Sequence, residues 1–118
     1  MTFTEVATMV SEIGLPYAYY EFTNTEVAPP FIVFFYGNSN DFKADNSNYQ
    51  KIERLYVELY ANEKSVDLEA TVEGLLASYD MVWARDEEWI PGESLYEVVY
   101  TMDVVITDDA ASTEDQNG

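Results

Sequence analysis

The hexapeptide Phe31-Ile32-Val33-Phe34-Phe35-Tyr36 has no polar residue on either face of a strand. Successive strand residues point to opposite sides, so a half-exposed strand alternates apolar with polar. A run that is apolar on both sides needs cover on both. It is either a central strand between two layers, or a strand with helices on one side and another subunit on the other. The run is also far shorter than the ~20 residues of a bilayer-spanning helix. In isolation it is a β-aggregation hazard, and Pro29-Pro30 before it and Gly37-Asn38-Ser39-Asn40-Asp41 after it read as gatekeepers.

The rest of the chain supplies the elements around this strand. Residues 2–13 predict an amphipathic helix: Thr2 and Glu5 form a capping-box pattern, Val6, Met9, Val10 and Ile13 share a face, and Gly14 and Pro16 end it. Residues 17–22 alternate as a strand, with Ala18, Tyr20 and Phe22 on one side, and residues 24–30 form a turn. Residues 37–48, rich in Asn, Asp and Ser, read as a long loop or hairpin tip. Residues 49–61 fit both periods, and their Tyr, Val and Ile content favours strand. The clearest helix is 65–79, with Leu68, Val72, Leu75, Leu76 and Tyr79 on one stripe, Asp67, Glu69 and Glu73 opposite, and Ser65 or Asp67 as N-cap. A strand follows at 80–87, a break at 89–92 with its Pro-Gly turn, and a long strand at 94–107.

The expected fold is α+β: two helices packed on one side of a mainly antiparallel five-stranded sheet, in the order α-β-β-β-α-β-β. Residues 1–107 form a single domain, and 108–118 a disordered acidic C-terminal tail.

Charge narrows the function. Of 118 residues, 23 are Asp or Glu and 5 are Lys or Arg, a formal charge of −18 with no histidine. Nucleic-acid phosphates and anionic lipid both need clustered cations, which this chain lacks. Disorder is excluded by 47% hydrophobic and 15% aromatic residues. The start of the chain has no basic, apolar signal pattern, so a soluble protein used without export is expected.

Chemistry is sparse. Without His or Cys there is no imidazole base, thiol nucleophile or thiolate zinc site. No phosphate-binding glycine loop, G-x-S-x-G or H-E-x-x-H occurs. Neighbouring carboxylates such as Asp86-Glu87-Glu88 are expected in any chain this acidic and read as a solvated turn. Asn38, Asn40, Asp41, Asp45, Asn46 and Asn48 crowd oxygen ligands for a divalent cation, but the EF-hand order is not met and these are equally ordinary turn residues. The expectation is no enzyme and no cofactor. Ten tyrosines exceed what a core this size needs and suit surfaces that become buried on assembly. A homo-oligomer with sheet-face or strand-edge contacts follows, with Phe31, Val33, Phe35 and Tyr49 as candidate interface residues.

The short N-terminal helix, the Leu15-Pro16-Tyr17 approach to the first strand and the Pro30-to-Tyr36 strand together resemble small neck proteins of long-tailed bacteriophages. The Asp41-Phe42-Lys43-Ala44-Asp45-Asn46 loop, Tyr56-Val57-Glu58-Leu59-Tyr60 and Leu95-Tyr96-Glu97-Val98-Val99-Tyr100 add to the likeness over residues 1–107. The nearest kind is the tail terminator, or tail completion, protein. The resemblance implies a hexameric ring that caps the tail tube, stops its polymerisation and meets head-completion proteins, located in the virion and made in the host cytoplasm. It implies no catalytic residues and places the loop near Phe42 against a ring neighbour or the tube. A head-tail joining protein or minor tail component shares the pattern. Carboxylates at Asp86, Glu87, Glu88 and Glu93 would line the channel and repel passing DNA. The alternative is an acidic DNA mimic that inhibits a DNA-binding enzyme. Mimics need close-set rows of exposed acids, whereas Glu97 and Asp103 alternate with core residues. A blander possibility is acidity for solubility alone.

Overall fold

The computed structural model describes residues 1–23, 26–39 and 51–107. Along them run α1 (Phe3–Ser11), β1 (Tyr17–Tyr19), β2 (Phe31–Ser39), β3 (Lys51–Ala61), α2 (Val66–Ser78), β4 (Ala84–Ile90) and β5 (Leu95–Ile106). Thr2 caps α1 as a capping box, its hydroxyl accepting from Glu5 N–H while the Glu5 carboxylate accepts from Thr2 N–H. Ser65 is the N-cap of α2, accepting from Leu68 N–H.

The strands form one sheet in the order β1-β2-β3-β5-β4. The sheet is mixed: β1 runs parallel to β2, and the other three pairings are antiparallel. No tight hairpin joins β1 to β2, and residues 20–30 instead return the chain to the same end of the sheet. β1 stops at Tyr19, short of the expected Phe22, because Tyr20 adopts a left-handed φ of 72°. β4 begins and ends later than its alternation suggests. Asp80 N–H and Met81 N–H still bond back to Ala77 and Leu76 carbonyls of α2, with Asp80 at φ 62°, and the strand then runs through Trp89 to Ile90.

One core lies on one side of the sheet. Val6, Met9, Val10 and Ile13 of the α1 region and Val72 and Leu76 of α2 join Ile32 and Phe34, Leu55, Val57 and Leu59, and Val98, Tyr100, Met102, Val104 and Ile106. β2, β3 and β5 each give this cluster one alternation set, so both helices cover the same face. The N-terminal ammonium donates to Val105 O and Thr107 N–H to Met1 O, tying the two ends of the described chain together.

β2 extends to Ser39, through residues that read as a loop. Gly37 makes this possible. A Cβ there would collide with the Tyr56 ring, which lies flat against Phe35 with centroids 4.9 Å apart and planes 4° from parallel. Gly37→Ala should cost about 1–2 kcal/mol. A lower urea midpoint together with shifted Tyr56 ring protons in NMR would show it.

Candidate assembly surface

The second alternation set forms a face that neither of the two described helices covers. Register places Phe31, Tyr60, Glu97 and Glu88 side by side in one row across β2, β3, β5 and β4. The next row is Ala18, Val33, Glu58, Val99 and Asp86, and the third is Phe35, Tyr56, Thr101 and Ala84. The β2–β3 half is aromatic. Phe31 stacks on Tyr60 at 5.2 Å and Phe35 on Tyr56, while Phe22 and Tyr20 meet Phe31 and Phe35 edge-on at 5.3 and 6.1 Å. Val33, between the stacks, is 8% exposed.

The three described candidates for an interface therefore stand together: Phe31, Val33 and Phe35 share this open face. Phe42 and Tyr49 lie outside the described residues, as do the acidic tail at 108–118 and Asn40, Asp41, Asp45, Asn46 and Asn48 of the suggested cation loop. Among the described residues, no group of three carboxylates is placed to hold a metal ion, and no helix is long and apolar enough to cross a membrane.

Polar groups cross the middle of the open face. Tyr60 Oη lies 2.9 Å from Glu58 Oε1 and 2.9 Å from Glu97 Oε2. One phenol has one proton, so it donates to one carboxylate at a time, and the other carboxylate meets a lone pair. Burial, then the bonds to Glu97 and Glu58, push the Tyr60 hydroxyl well above its ordinary range. Burial also lifts the Glu58 carboxyl, against the lowering effect of the Tyr60 bond, and the Glu97 charge lifts it further.

The four acids proposed to line a channel do not act as one group. On β4, Asp86 and Glu88 turn to the open face, whereas Glu87 turns to the helix side. There Lys64 Nζ sits 2.6 Å from Glu87 Oε1, and Tyr96 Oη donates to the same oxygen at 2.7 Å. The Lys64 and Tyr96 bonds hold the Glu87 carboxyl below the usual carboxylate range. Glu93 lies in the exposed turn at 91–94. A group held lower in the folded state stabilises it above its unfolded value near 4.5, and that stabilisation is lost as pH falls through the folded value. Glu87→Gln should therefore melt below the parent chain near pH 7, with the gap closing in thermal melts as pH falls below the ordinary carboxylate range.

Glu69 is the surprise of this side. Its place opposite the α2 stripe implied a solvated acid, yet it is 4% exposed. Arg85 Nη1 reaches its Oε1 at 2.7 Å and Lys64 Nζ its Oε2 at 2.9 Å. Arg85 also pairs with Glu73 at 3.3 Å, and Tyr100 Oη donates to Glu73 at 2.9 Å. Elsewhere Arg54 pairs with Asp103 at 2.9 Å and Lys51 with Glu53 at 3.6 Å. Every described lysine and arginine is thus engaged by an acid of its own chain.

A hollow of about 570 Å³ opens at the other side of the β1–β2 edge, lined by Phe3, Ala7, Tyr19, Phe34, Tyr36 and Glu53. It is apolar with one carboxylate at its rim, and no nucleophile or base pair faces it.

The molecule is thus a two-layer α+β protein with one closed core and one aromatic sheet face left open. Neither a protein-family model nor a curated protein matches it. Among solved structures it is similar in fold to a chain in a virion of a native gene transfer agent particle, with a TM-score of 0.51 and 8% identity, covering 85% of this chain and 84% of that one.

Proposed function

We propose that this chain is a structural protein of a phage-like virion, built into the particle through its open sheet face. The observation that carries the reading is that face: a stacked aromatic surface around Val33 on a protein whose core is already closed on the other side. The fold likeness to a chain of a gene transfer agent virion supports the same reading.

In its finer form, the protein is a neck component that assembles as a ring, six copies in the terminator resemblance, ends the tail tube and joins it to the head-completion complex. Phe31, Val33 and Phe35 then face a neighbouring subunit or the tube. Asp86, Glu88 and Glu93 sit at the β4 edge, where they would repel passing DNA, while Glu87 serves the fold. The protein catalyses nothing and needs no cofactor in this reading. The acidic-inhibitor alternative asks for rows of free carboxylates, and β4 instead sends alternate acids to opposite faces with Glu87 held by Lys64.

Native mass spectrometry of the purified chain tests the ring. A species at six times the 13.5 kDa chain mass is expected at micromolar concentration, and a monomer alone would overturn the ring.

A further inference from the structure

The open face has a chemistry that its own copies do not complement. Its aromatic half presents Phe31 and Phe35 stacked on Tyr60 and Tyr56 around Val33. Beside them stand Glu58 and Glu97, half-buried and joined only through the single Tyr60 hydroxyl. A surface laid over this face strips water from two carboxylates that share one donor, which costs several kcal/mol unless the surface brings a cation. A second copy offers, among its described residues, only cations that already share their charge with acids of their own chain: Lys51, Arg54, Lys64 and Arg85. On the open face a copy presents Arg54, paired with Asp103, beside Glu58, Glu97, Asp86 and Glu88, so a second copy laid there brings more acids than cations. Lys43 is the one lysine or arginine outside the described residues.

We propose that the open face docks a different polypeptide, which lays an apolar strip over Phe31, Val33 and Phe35 and sets an arginine or lysine against Glu58 and Glu97. A guanidinium suits the place best, since it forks to two carboxylate oxygens and stacks on flat rings, and Glu97 shares a row with Tyr60 and Phe31 while Glu58 stands one row on. The inference rests on the reading of this face as an assembly surface and goes further by naming what covers it. Contacts between copies of the chain then run through other surfaces.

The test titrates the full-length chain with a synthetic strand peptide alternating arginine with valine, at about 0.15 M salt so that diffuse attraction to an acidic protein is screened. The control peptide carries citrulline, neutral and of the same shape, at each arginine. NMR of Val33 methyl and Phe35 ring signals reads where the peptide sits. The expected result is saturable shifts at both residues and binding weakened about tenfold or more by citrulline or by the double substitution Glu58→Gln, Glu97→Gln. The double substitution Glu63→Gln, Asp67→Asn, at exposed acids around the start of α2, should leave affinity within about twofold. Equal weakening by both pairs, or no shift at Val33, overturns the proposal. So does a ring of copies that dissolves in Glu58→Gln, Glu97→Gln, because a second copy then occupies the face. A monomeric chain that binds the peptide at Val33 overturns the self-assembled ring and supports the docking proposal, so the two failures are distinguishable.

Discussion

Replacing Lys64 and Arg85 together by methionine is expected to lower the melting temperature of the isolated chain by roughly 10 °C or more. Both cations are about two-fifths exposed, at 40% and 39%, and pairs at such positions usually contribute little. What makes this site different is the anion. The Glu69 side chain is 5% exposed, and both cations donate to the same oxygen, Oε1, Arg85 at 2.7 Å and Lys64 at 3.0 Å. Losing both leaves a charge with neither water nor a partner, and the cost is the desolvation of Glu69 rather than the worth of two surface ion pairs. Methionine keeps the apolar stems that pack along the sheet, including the one over Tyr96, where Lys64 Nζ stands 5.7 Å from the ring centroid. The decisive comparison adds Glu69→Gln to the double variant. Recovery of most of the lost stability, measured by urea unfolding, assigns the loss to the stranded charge. A triple variant as unstable as the double would assign it to packing of the stems.

Glu69 also shows where sequence reasoning stops. Helical periodicity put it opposite Leu68, Val72 and Leu76, and on an isolated helix that side faces water. In the sheet, Arg85 on β4 and Lys64 before α2 converge over it, a long-range arrangement that no local pattern encodes. The same limit explains β1. Alternation over residues 17–22 was real, since Ala18, Tyr20 and Phe22 all serve the open face, but the left-handed turn at Tyr20 ends the pairing while leaving the side chains on the expected side. Gly37 read as loop because glycine beside Asn and Ser usually is one, whereas here the missing Cβ makes room for the Tyr56 ring within a strand. By contrast, the capping box at Thr2, the N-cap at Ser65 and the two-sided apolar character of β2 are short-range facts, fully stated by neighbouring residues. The open face was legible for the same reason: a strand apolar on both sides beside helices sufficient for only one has to leave a face unfinished.

That division between a closed face and an open one leads to the other large expected effect, a contrast between Leu55→Ala and Phe35→Ala. The two residues sit on neighbouring strands, one register step apart, and point to opposite sides of the sheet. Leu55 is fully buried beneath the helices, so its truncation leaves a cavity in a core that cannot collapse, and about 3–4 kcal/mol should be lost in the isolated chain. Phe35 is only partly buried, between Tyr56 and the edge of Tyr20, so its truncation removes one stack and part of one burial, about 1–2 kcal/mol. In an assembly assay the order should reverse. Leu55→Ala, studied well below its melting temperature, keeps the open face intact and should be incorporated into particles. Phe35→Ala folds but removes the flat ring that a partner covers, and a face of this kind concentrates its binding free energy in a few such aromatic anchors, so incorporation should fall by about tenfold or more. Urea unfolding measures the first order and quantification of the protein in purified particles the second. Phe35→Ala incorporated at the parent level would mean that the open face meets only water, since an aromatic surface that assembly buries cannot lose its central ring without consequence.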